Sequence, residues 1–488
     1  MASEKHVLLI CVDQLSMSRL GLSGDTVAMT PTIDFLGRNG LNFDNLYSTC
    51  PICIPARRSL MTGMSPRSHG DRVYQDTMPM PSAVTLAQAF SNAGYQTYAV
   101  GKMHVYPQRN RIGFDDVILM EEGRNEFGVY DDYQIWLGEQ GYISDEFLHT
   151  IGNNTYYTRP WHLPEITHPT TWATKEMMRM IKRKDPGKPA FFYISYAAPH
   201  PPLLPLDTYL DMFTLDEMQL PDFANQWAES DSPILKTFTG KAHAYSEKEM
   251  RLALRAYYAT CTHIDSQIRL LLGTLRESNM LDNTIIVFLS DHGDMLFEHG
   301  CIGKRLFYEG SCHVPFIISG PPALEYRAKV DTHQIASLED VMPTLLDMCG
   351  IDIPDTVDGI SLISEKKHTY IFGEITEGTK ATRMIVDGRY KLIYYPCGNM
   401  VQLFDIEQDK LELHDLSGCA DLLEIKEKLV KDLIENLHDG DEQWVKDGKL
   451  IGFDAPMKNE PVDFGLHNQR GSHWPPPGQY SNFGNSQK

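Results

Sequence analysis

The sequence lacks the features that would point to a membrane, an exported protein or a nucleic acid. No run of about 18 apolar residues occurs, so we expect no membrane-spanning helix. The N-terminus has no basic segment followed by a long apolar stretch, so we expect no signal peptide. Lysine and arginine number 44 against 65 aspartates and glutamates, a net charge of −21, which argues against a broad nucleic-acid surface. We therefore predict a cytoplasmic protein that binds neither membrane nor nucleic acid, although a local basic cluster can still bind an anion.

Cysteines are also few for the length of the chain: nine among 488 residues, an odd number. Without an export signal, this count predicts reduced thiols rather than a disulfide framework, unless other chemistry alters one of them. Hydrophobic residues make up 42% and charged residues 22%, and a chain of this length buries enough apolar surface to fold without disulfides. It is too long for one ordinary compact domain, so we expect a large α/β domain with an appended unit.

Continuous apolar runs alternate with amphipathic segments through much of the chain. Such runs are typical of strands that are buried on both faces of a parallel sheet. They read HVLLICVDQ, QTYAVGKMH, AFFYISYAAPH, NTIIVFLSDHGD and VPFIISGP. Helical patterns such as EMRLALRAYYATCTHIDSQIRLLLGTL lie between them. We therefore predict an α/β fold for residues 1–365, with a large, doubly wound, mostly parallel sheet flanked by helices.

The pattern changes near residue 366. The stretch TRMIVDGRYKLIYYPCGNMVQLFDIEQD alternates in β fashion around a DG turn, which predicts antiparallel strands. One amphipathic helix follows, so we predict a smaller α+β subdomain over residues 366–454. Residues 455–488 form a tail rich in proline, glycine and asparagine, for which we predict an extended conformation. Residues 205–250 look like a loop-rich insertion and a candidate rim of a site.

Four of the predicted strands end in polar side chains. In open parallel sheets the ligand site lies beyond the carboxyl ends of the strands. The residues at these ends are Asp13 and Gln14, Lys102 and His104, His200, and Asp291 and His292. We therefore predict that these distant segments converge on one crevice.

The stretch TCPICIPARRSLMTG carries two overlapping patterns. Cys50 and Cys53 have the C-x-x-C spacing of a redox pair or of half a zinc site. A redox pair would open a helix in a small βαβ fold, and it would not explain the polar strand ends. The second pattern joins Cys53 to Pro55 and Arg57.

The order C-x-P-x-R resembles the signature of the sulfatase family, with Ala56 in place of the commoner serine. The resemblance implies an alkaline phosphatase-like fold and a catalytic role for the domain over residues 1–365. It also implies that a maturation enzyme oxidises Cys53 to Cα-formylglycine. One hydroxyl of the aldehyde hydrate then attacks sulfur, and the other expels sulfate afterwards, an exit that a serine ester would lack.

The resemblance also implies one divalent metal ion at the two strand ends. Its ligands would be Asp13, Gln14, Asp291, His292 and the residue formed from Cys53. Oxygen donors favour Ca²⁺, with Mg²⁺ as an alternative, whereas the imidazole shifts preference towards Mn²⁺. Gln14 and His292 stand where many members have Asp and Asn, and they resemble the branch that contains choline sulfatases and phosphonate monoester hydrolases.

Cationic side chains complete the implied site. GKMH resembles the family's G-K-x-H and supplies Lys102 and His104, with His104 as the base for hemiacetal collapse. The remaining members are His200 of APHPP, Lys304 of GKRLF and Arg57. Fixed positive charges would stabilise the nonbridging oxygens of a sulfate transition state. His200 and Lys304 would contact the sulfate and the leaving oxygen, one of them acting as the acid.

Three hypotheses for the function follow. The first is a sulfuric ester hydrolase that acts on a small-molecule sulfate monoester, with a sugar, choline or aryl leaving group. The second keeps the site and changes the substrate to a phosphonate monoester or phosphodiester. The third is a non-catalytic anion-binding protein, if Cys53 is unmodified. Two interpretations remain for three tryptophans, which either line a leaving-group pocket or pack in the core or an interface: Trp161, Trp172 and Trp227. The proline-rich tail resembles tails that embrace a neighbouring subunit in related enzymes, and this resemblance implies a homo-oligomer, a dimer or tetramer.

Overall fold

The computed structural model describes residues 5–123, 129–143, 145–221, 233–242 and 244–455. Its main element is an eight-stranded sheet with the order β4-β3-β5-β1-β6-β7-β2-β8. The strands are β1 (His6–Asp13), β2 (Leu41–Tyr47), β3 (Gln96–Gly101), β4 (Asp116–Leu119), β5 (Ala190–Pro199), β6 (Thr284–Ser290), β7 (His313–Ser319) and β8 (Ala336–Ser337). Strands β4, β3, β5, β1 and β6 pair in parallel. Strand β7 runs antiparallel to both of its neighbours, β6 and β2.

Helices cover both faces of this sheet. They are α1 (Pro31–Asn39), α2 (Cys53–Thr62), α3 (Pro66–His69), α4 (Leu86–Asn92), α5 (Asp132–Glu139), α6 (Pro169–Arg183), α7 (Asp207–Leu210), α8 (Pro233–Ala242), α9 (Glu247–Glu277), α10 (Glu309–Cys312) and α11 (Val341–Met348). Residues Leu8, Ile10 and Val12 of β1 pack in one core with α1, α6 and α9. Val7 and Leu9 alternate with them and pack in a second core with α2, α4 and α11. Burial on both faces explains why β1 reads as a continuous apolar run.

A four-stranded antiparallel sheet follows, in the order β12-β11-β10-β9. Its strands are β9 (Ile371–Ile375), β10 (Thr382–Val386), β11 (Tyr390–Tyr395) and β12 (Met400–Asp405), and α12 (Leu423–Asn436) comes next. Leu429 and Leu433 of α12 pack on one face of this sheet. A short hairpin of β13 (Val445–Lys446) and β14 (Lys449–Leu450) ends the described chain. The predicted fold class is thus confirmed, whereas the tail from residue 456 lies outside the described residues and the domain boundaries stay predictions.

Buried ion pairs join the two sheets. Lys391 of β11 is fully buried, and its Nζ lies 2.7 Å from Glu309 and 2.6 Å from Glu412. Because an unpaired buried charge is costly, these contacts fix the small sheet against the large one. The insertion over residues 205–250 contains α7 and α8 rather than loop alone. Within the described ranges, none of the helices combines the length and the hydropathy needed to cross a bilayer.

Candidate active site

The four strands that end in the predicted polar residues are neighbours in the sheet, in the order β3-β5-β1-β6. Their carboxyl ends therefore lie side by side. The residues brought to this edge are Asp13, Gln14, Lys102, His104, His200, Asp291 and His292, and Cys53, Arg57 and Lys304 join them from other elements. The structure thus confirms that these polar residues converge at one edge of the sheet.

Cys53 is the first residue of α2 and is 1% exposed. The preceding Ile52 has extended backbone, so the chain enters the helix with the Cys53 side chain in the site. Its Sγ lies 3.1 Å from His292 Nε2 and 3.9 Å from Asp13 Oδ1. Cys50 is buried with a free thiol, and burial holds its pKa well above the usual range. The two cysteines therefore occupy different environments, and the structure shows no C-x-x-C disulfide.

The surroundings of Cys53 favour a negative charge at that position. Burial raises the pKa of its thiol, but the charges of Lys304, Lys102 and His292 outweigh burial and bring the pKa well below its usual value, with a contribution from His104. Thiolate is the reactive form of cysteine. The same field would favour any anionic oxygen formed at this point.

Arg57 lies one turn after Cys53 on α2 and is 3% exposed. Its Nη2 lies 3.3 Å from Asp13 and its Nε lies 2.9 Å from Asp291. Its Nη1 donates to the backbone oxygen of Lys102 and to Ser195 Oγ at 3.0 and 2.7 Å. The guanidinium therefore ties α2 to the carboxyl ends of β1, β3 and β6 and to β5.

Lys102 is fully buried and lies directly after β3. Gly101 has φ +102°, and a Cβ there would lie 2.0 Å from the Ser195 carbonyl oxygen, so this close approach requires glycine. The Lys102 Nζ lies 2.5 Å from Asp13 and 2.9 Å from Glu122. Burial and Cys53 raise the pKa of Asp13, but the charges of Lys102 and Arg57 contribute to lowering it to about 2.

Asp13, Cys53, Asp291 and His292 form a buried set whose ligand atoms lie within 4.8 Å of one another. His292 Nδ1 donates to the Gly293 carbonyl at 3.1 Å. This contact requires a proton on Nδ1, so Nε2 is the nitrogen that faces Asp13 and Cys53 and that could bind a cation once it is deprotonated, as contacts of this kind commonly arrange for metal-bound histidine. Two carboxylates and an oriented imidazole fit a divalent cation.

Gln14 is held by contacts on both ends of its amide. Its backbone is left-handed, with φ 69°, and its N–H donates to Asp291 Oδ1 at 3.2 Å. Its Nε2 donates to Asp294 at 2.6 Å and to Tyr156 at 3.2 Å, while its Oε1 accepts from Lys304 at 2.6 Å. The opposite amide orientation would place NH₂ against an ammonium group, so the contacts fix Oε1 towards Lys304.

His200 lies directly after β5 and is buried. Its Nδ1 must donate to the Pro201 carbonyl, 2.6 Å away, because that oxygen can only accept. Its Nε2 is buried without a hydrogen-bond partner among the described residues. Burial and the charges of Lys304 and Lys102 lower the pKa of His200, and Glu122 partly offsets them. Neutral His200 therefore presents a bare lone pair, and it donates from Nε2 only when protonated.

Sequence reasoning missed Glu122. Its carboxylate lies 2.9 Å from Lys102 and 3.8 Å from His200. It follows β4, whose short and partly exposed run DVIL was not recognised as a strand. The strand-end rule would have found Glu122 if β4 had been included. Asp294 and Tyr156 were also missed as partners of Gln14, because the contact depends on three distant segments.

The three tryptophans have different surroundings. Trp161 lines a cavity beside the site. Trp172 of α6 packs in the core between the sheet and α9. Trp227 lies outside the described residues.

Comparisons with known proteins agree with this geometry. A family model described as Sulfatase matches residues 5–351, and one described as N-sulphoglucosamine sulphohydrolase, C-terminal, matches residues 297–439. The chain is 37% identical over 468 residues to an arylsulfatase of Clostridium perfringens, covering 91% of this chain and 97% of that protein. It is 28% identical to a choline-sulfatase of Rhizobium meliloti, covering 84% and 82% respectively.

Among solved structures, the chain is similar to the phosphonate monoester hydrolase of Agrobacterium radiobacter. The TM-score is 0.74 at 22% identity, covering 88% of this chain and 95% of that one. This likeness bears on the fold, and it agrees with the predicted alkaline phosphatase-like architecture. The family model spans well over half of the residues, and the arylsulfatase aligns along nearly the whole chain. The chain is therefore a member of the sulfatase family of enzymes.

Proposed function

We propose that this sulfatase hydrolyses sulfate monoesters at Cys53, through a formylglycine made from that residue and with one divalent cation. The observation that carries the proposal is the position of Cys53 Sγ, 3.1 Å from His292 Nε2 and 3.9 Å from Asp13 Oδ1. Here the thiol sulfur stands in for an oxygen of the formylglycine hydrate. That hydrate supplies a nucleophilic hydroxyl and a second hydroxyl that permits sulfate release.

Asp13, Gln14, Asp291 and His292 are the proposed protein ligands, and Ca²⁺ is the proposed ion because three of these four supply oxygen donors. The ion would add positive charge beside the nucleophile and favour its deprotonated form. Asp291 has two further tasks within the chain. Its Oδ1 accepts from the Gln14 backbone, and its Oδ2 pairs with Arg57, so it also sets the distance between β6 and α2.

Arg57, Lys102 and Lys304 are the proposed groups that neutralise the transferring sulfate. Arg57 and Lys102 are held rigidly by buried carboxylates, so their charges are already oriented before the substrate binds. Lys304 is half-buried, and its Nζ donates to Gln14 Oε1 at 2.6 Å. It is therefore the proposed donor to the leaving oxygen.

His104 is the proposed base that acts on the hydrate. It has a left-handed backbone with φ 58°, and its N–H donates to Glu121 at 3.0 Å. That contact holds the backbone of His104, and a hydrogen bond from its imidazole helps to lower the pKa of Cys53. His200 is proposed to bind a sulfate oxygen through Nε2 in its protonated form, since the bound anion would supply the charge that favours protonation.

Turnover of 4-nitrophenyl sulfate compared with that of an aryl phosphodiester and an aryl phosphonate tests this function. Sulfate monoesters and phosphodiesters both carry one negative charge on a tetrahedral centre, so some activity on each is expected. We expect kcat/KM to be highest for the sulfate. A preference of several orders of magnitude for the diester or phosphonate would overturn the proposal. Absence of all three activities, together with an unmodified Cys53 in protein from the native host, would favour the anion-binding alternative.

Three further predictions rest on the sequence. We propose a cytoplasmic location, a homo-oligomer of two or four chains, and dependence on a formylglycine-generating maturation enzyme. Size measurement of the full chain against a version that ends at residue 455 tests the contribution of the tail to assembly. An unchanged oligomeric state in the shorter version would contradict a contribution of the tail to assembly.

A further inference from the structure

A cavity of about 90 Å³ lies beside the site, between the end of β5 and the segment over residues 146–170. We call it the side cavity. Its apolar walls include Met120, Phe147, Ile151, Trp161, Leu203 and Leu204. Glu122 and His200 also line it, and both belong to the charged groups around the nucleophile.

The inner end of the side cavity is close to the reacting position. His200 Nδ1 lies 3.8 Å from Glu122, whose carboxylate lies 2.9 Å from Lys102. Lys102 in turn lies 2.5 Å from Asp13. A sulfate held by Lys102 and His200 would therefore lie next to the inner end of the side cavity.

The polar atoms of the walls are largely engaged within the protein. Trp161 Nε1 donates to Thr167 at 3.1 Å. His168 accepts from the Thr170 backbone and donates to the Leu204 carbonyl. Glu146 accepts from Gln134 at 3.0 Å. A sugar with several hydroxyls would leave many of them unpaired here, at a cost for each one, whereas an aromatic or compact alkyl group would not.

The charged side chains of the walls are also mainly of one sign. Two carboxylates, those of Glu122 and Glu146, line the side cavity, and no lysine or arginine of the described chain does. Burial lowers the pKa of His149 and of His168 to about 4, so these two imidazoles add no positive charge near neutral pH. A second anionic group that lies away from His200 would therefore meet the carboxylates of Glu122 and Glu146, and no lysine or arginine among the described residues of the walls would offset their charge.

We propose that the side cavity receives the organic part of the ester and selects a compact group, about one ring in size, that is uncharged or cationic. This inference rests on the proposed sulfatase function. The volume of about 90 Å³ is below the roughly 150 Å³ of an enclosed apolar cavity that holds one benzene ring, so no group larger than a single ring can lie within its walls. Anionic sulfated sugars are excluded by both the walls and the charge.

A matched pair of esters tests the selection by charge. The sulfate esters of 4-hydroxybenzamide and 4-hydroxybenzoate have nearly the same shape, and the 4-hydroxybenzoate ester carries one additional negative charge. We expect kcat/KM for the amide ester to exceed that for the carboxylate ester by about tenfold or more, because Glu146 and Glu122 repel the added charge. Glu146→Gln should reduce this ratio severalfold, whereas Glu139→Gln, an equal charge change on the exposed end of α5, should leave it unchanged.

Product binding gives a readout that does not depend on turnover. By calorimetry we expect 4-hydroxybenzamide to bind more tightly than 4-hydroxybenzoate. Ile151→Trp places a larger side chain in the cavity from a half-buried loop position, so it should abolish binding of 4-hydroxybenzamide. This variant serves as the test if Glu146→Gln fails to fold. Equal turnover and equal binding of the pair would overturn the cavity assignment and leave the sulfatase function intact. Loss of all sulfate ester turnover in protein with converted Cys53 would instead overturn the proposed sulfatase function. In that case, binding of 4-hydroxybenzamide without binding of 4-hydroxybenzoate would still support the cavity assignment.

Discussion

The Nε2 atom of His292 lies 3.1 Å from the Sγ atom of Cys53, and the opposite nitrogen of the same ring donates to the Gly293 carbonyl. One backbone contact thus determines which nitrogen faces Cys53 and the carboxylate of Asp13. The arrangement suits a ring that binds a cation beside Cys53.

Replacement of this ring should weaken metal binding. We expect His292→Ala to lower the affinity for the divalent cation by more than about 100-fold. His292→Asn should retain part of it, because an amide oxygen is still a ligand for a hard cation. Metal content after dialysis and kcat/KM for an aryl sulfate are the measurements. A full complement of metal in purified His292→Ala would contradict the assignment.

Asp294 should act on the site through Gln14. Its Oδ2 accepts from Gln14 Nε2 and Tyr156, and its Oδ1 accepts from the backbone of Leu296 and Gly303. Asp294→Asn can turn an NH₂ towards Gln14, so we expect metal affinity to fall by about 10–100-fold. Tyr156→Phe should have a smaller effect.

Metal affinity by calorimetry, measured together with thermal stability, separates positioning from unfolding. The exposed Asp282→Asn serves as the control. If Asp294→Asn bound metal as tightly as the wild type at equal stability, the positioning role would be wrong.

Lys102 should contribute to both stability and rate. Its removal leaves the buried carboxylate of Asp13 and the partly buried carboxylate of Glu122 without their shared partner. We expect Lys102→Met to destabilise the metal-free protein by about 3–5 kcal/mol and to lower kcat/KM by about 10²–10³-fold. Lys182→Met is the comparison, since Lys182 is half exposed and lies 3.8 Å from Glu277, and it should cost less than about 1 kcal/mol. Denaturant unfolding and steady-state kinetics check both variants, and equal stability losses would contradict this account of Lys102.

Acid should destabilise the folded chain through buried neutral histidines. Burial lowers the pKa of His6, His149 and His168 from 6.5 to about 4. Between these values the unfolded chain binds more protons than the folded one, so the free energy of unfolding falls as pH falls from about 6.5 to about 4. His168→Asn should keep an oxygen for the Thr170 N–H and remove one titrating group. The free energy of unfolding of this variant should fall less steeply with decreasing pH than that of the wild type. The two slopes should differ by up to about 1.4 kcal/mol per pH unit. An unchanged slope in urea titrations would contradict the role of His168.

The parts of the site that follow local rules could be predicted from the sequence. Asp13, His200 and Asp291 end apolar runs, and the ends of neighbouring parallel strands meet, so their convergence follows from strand periodicity. The signature around Cys53 is contiguous and could be read directly. The small antiparallel sheet also followed from alternation around the Asp387-Gly388 turn.

The parts that depend on long-range packing could not be predicted. The orientation of the Gln14 amide depends on Asp294 and Lys304, which lie in loops without a periodic pattern. Glu122 follows the short strand β4, whose sequence carries too few residues for a strand signal. The side cavity combines walls from segments near residues 120, 150, 165 and 200, and no local pattern reports how such segments approach each other.

The mass of the peptide that contains Cys53, measured in catalytically active protein, tests the formylglycine proposal most directly. We predict that the peptide from active protein is lighter than the cysteine form by the replacement of the CH₂SH group with CHO. The converted fraction should rise in proportion to kcat per molecule when a maturation enzyme is co-expressed. Full sulfatase activity in protein whose Cys53 is entirely an unmodified thiol would contradict the proposal.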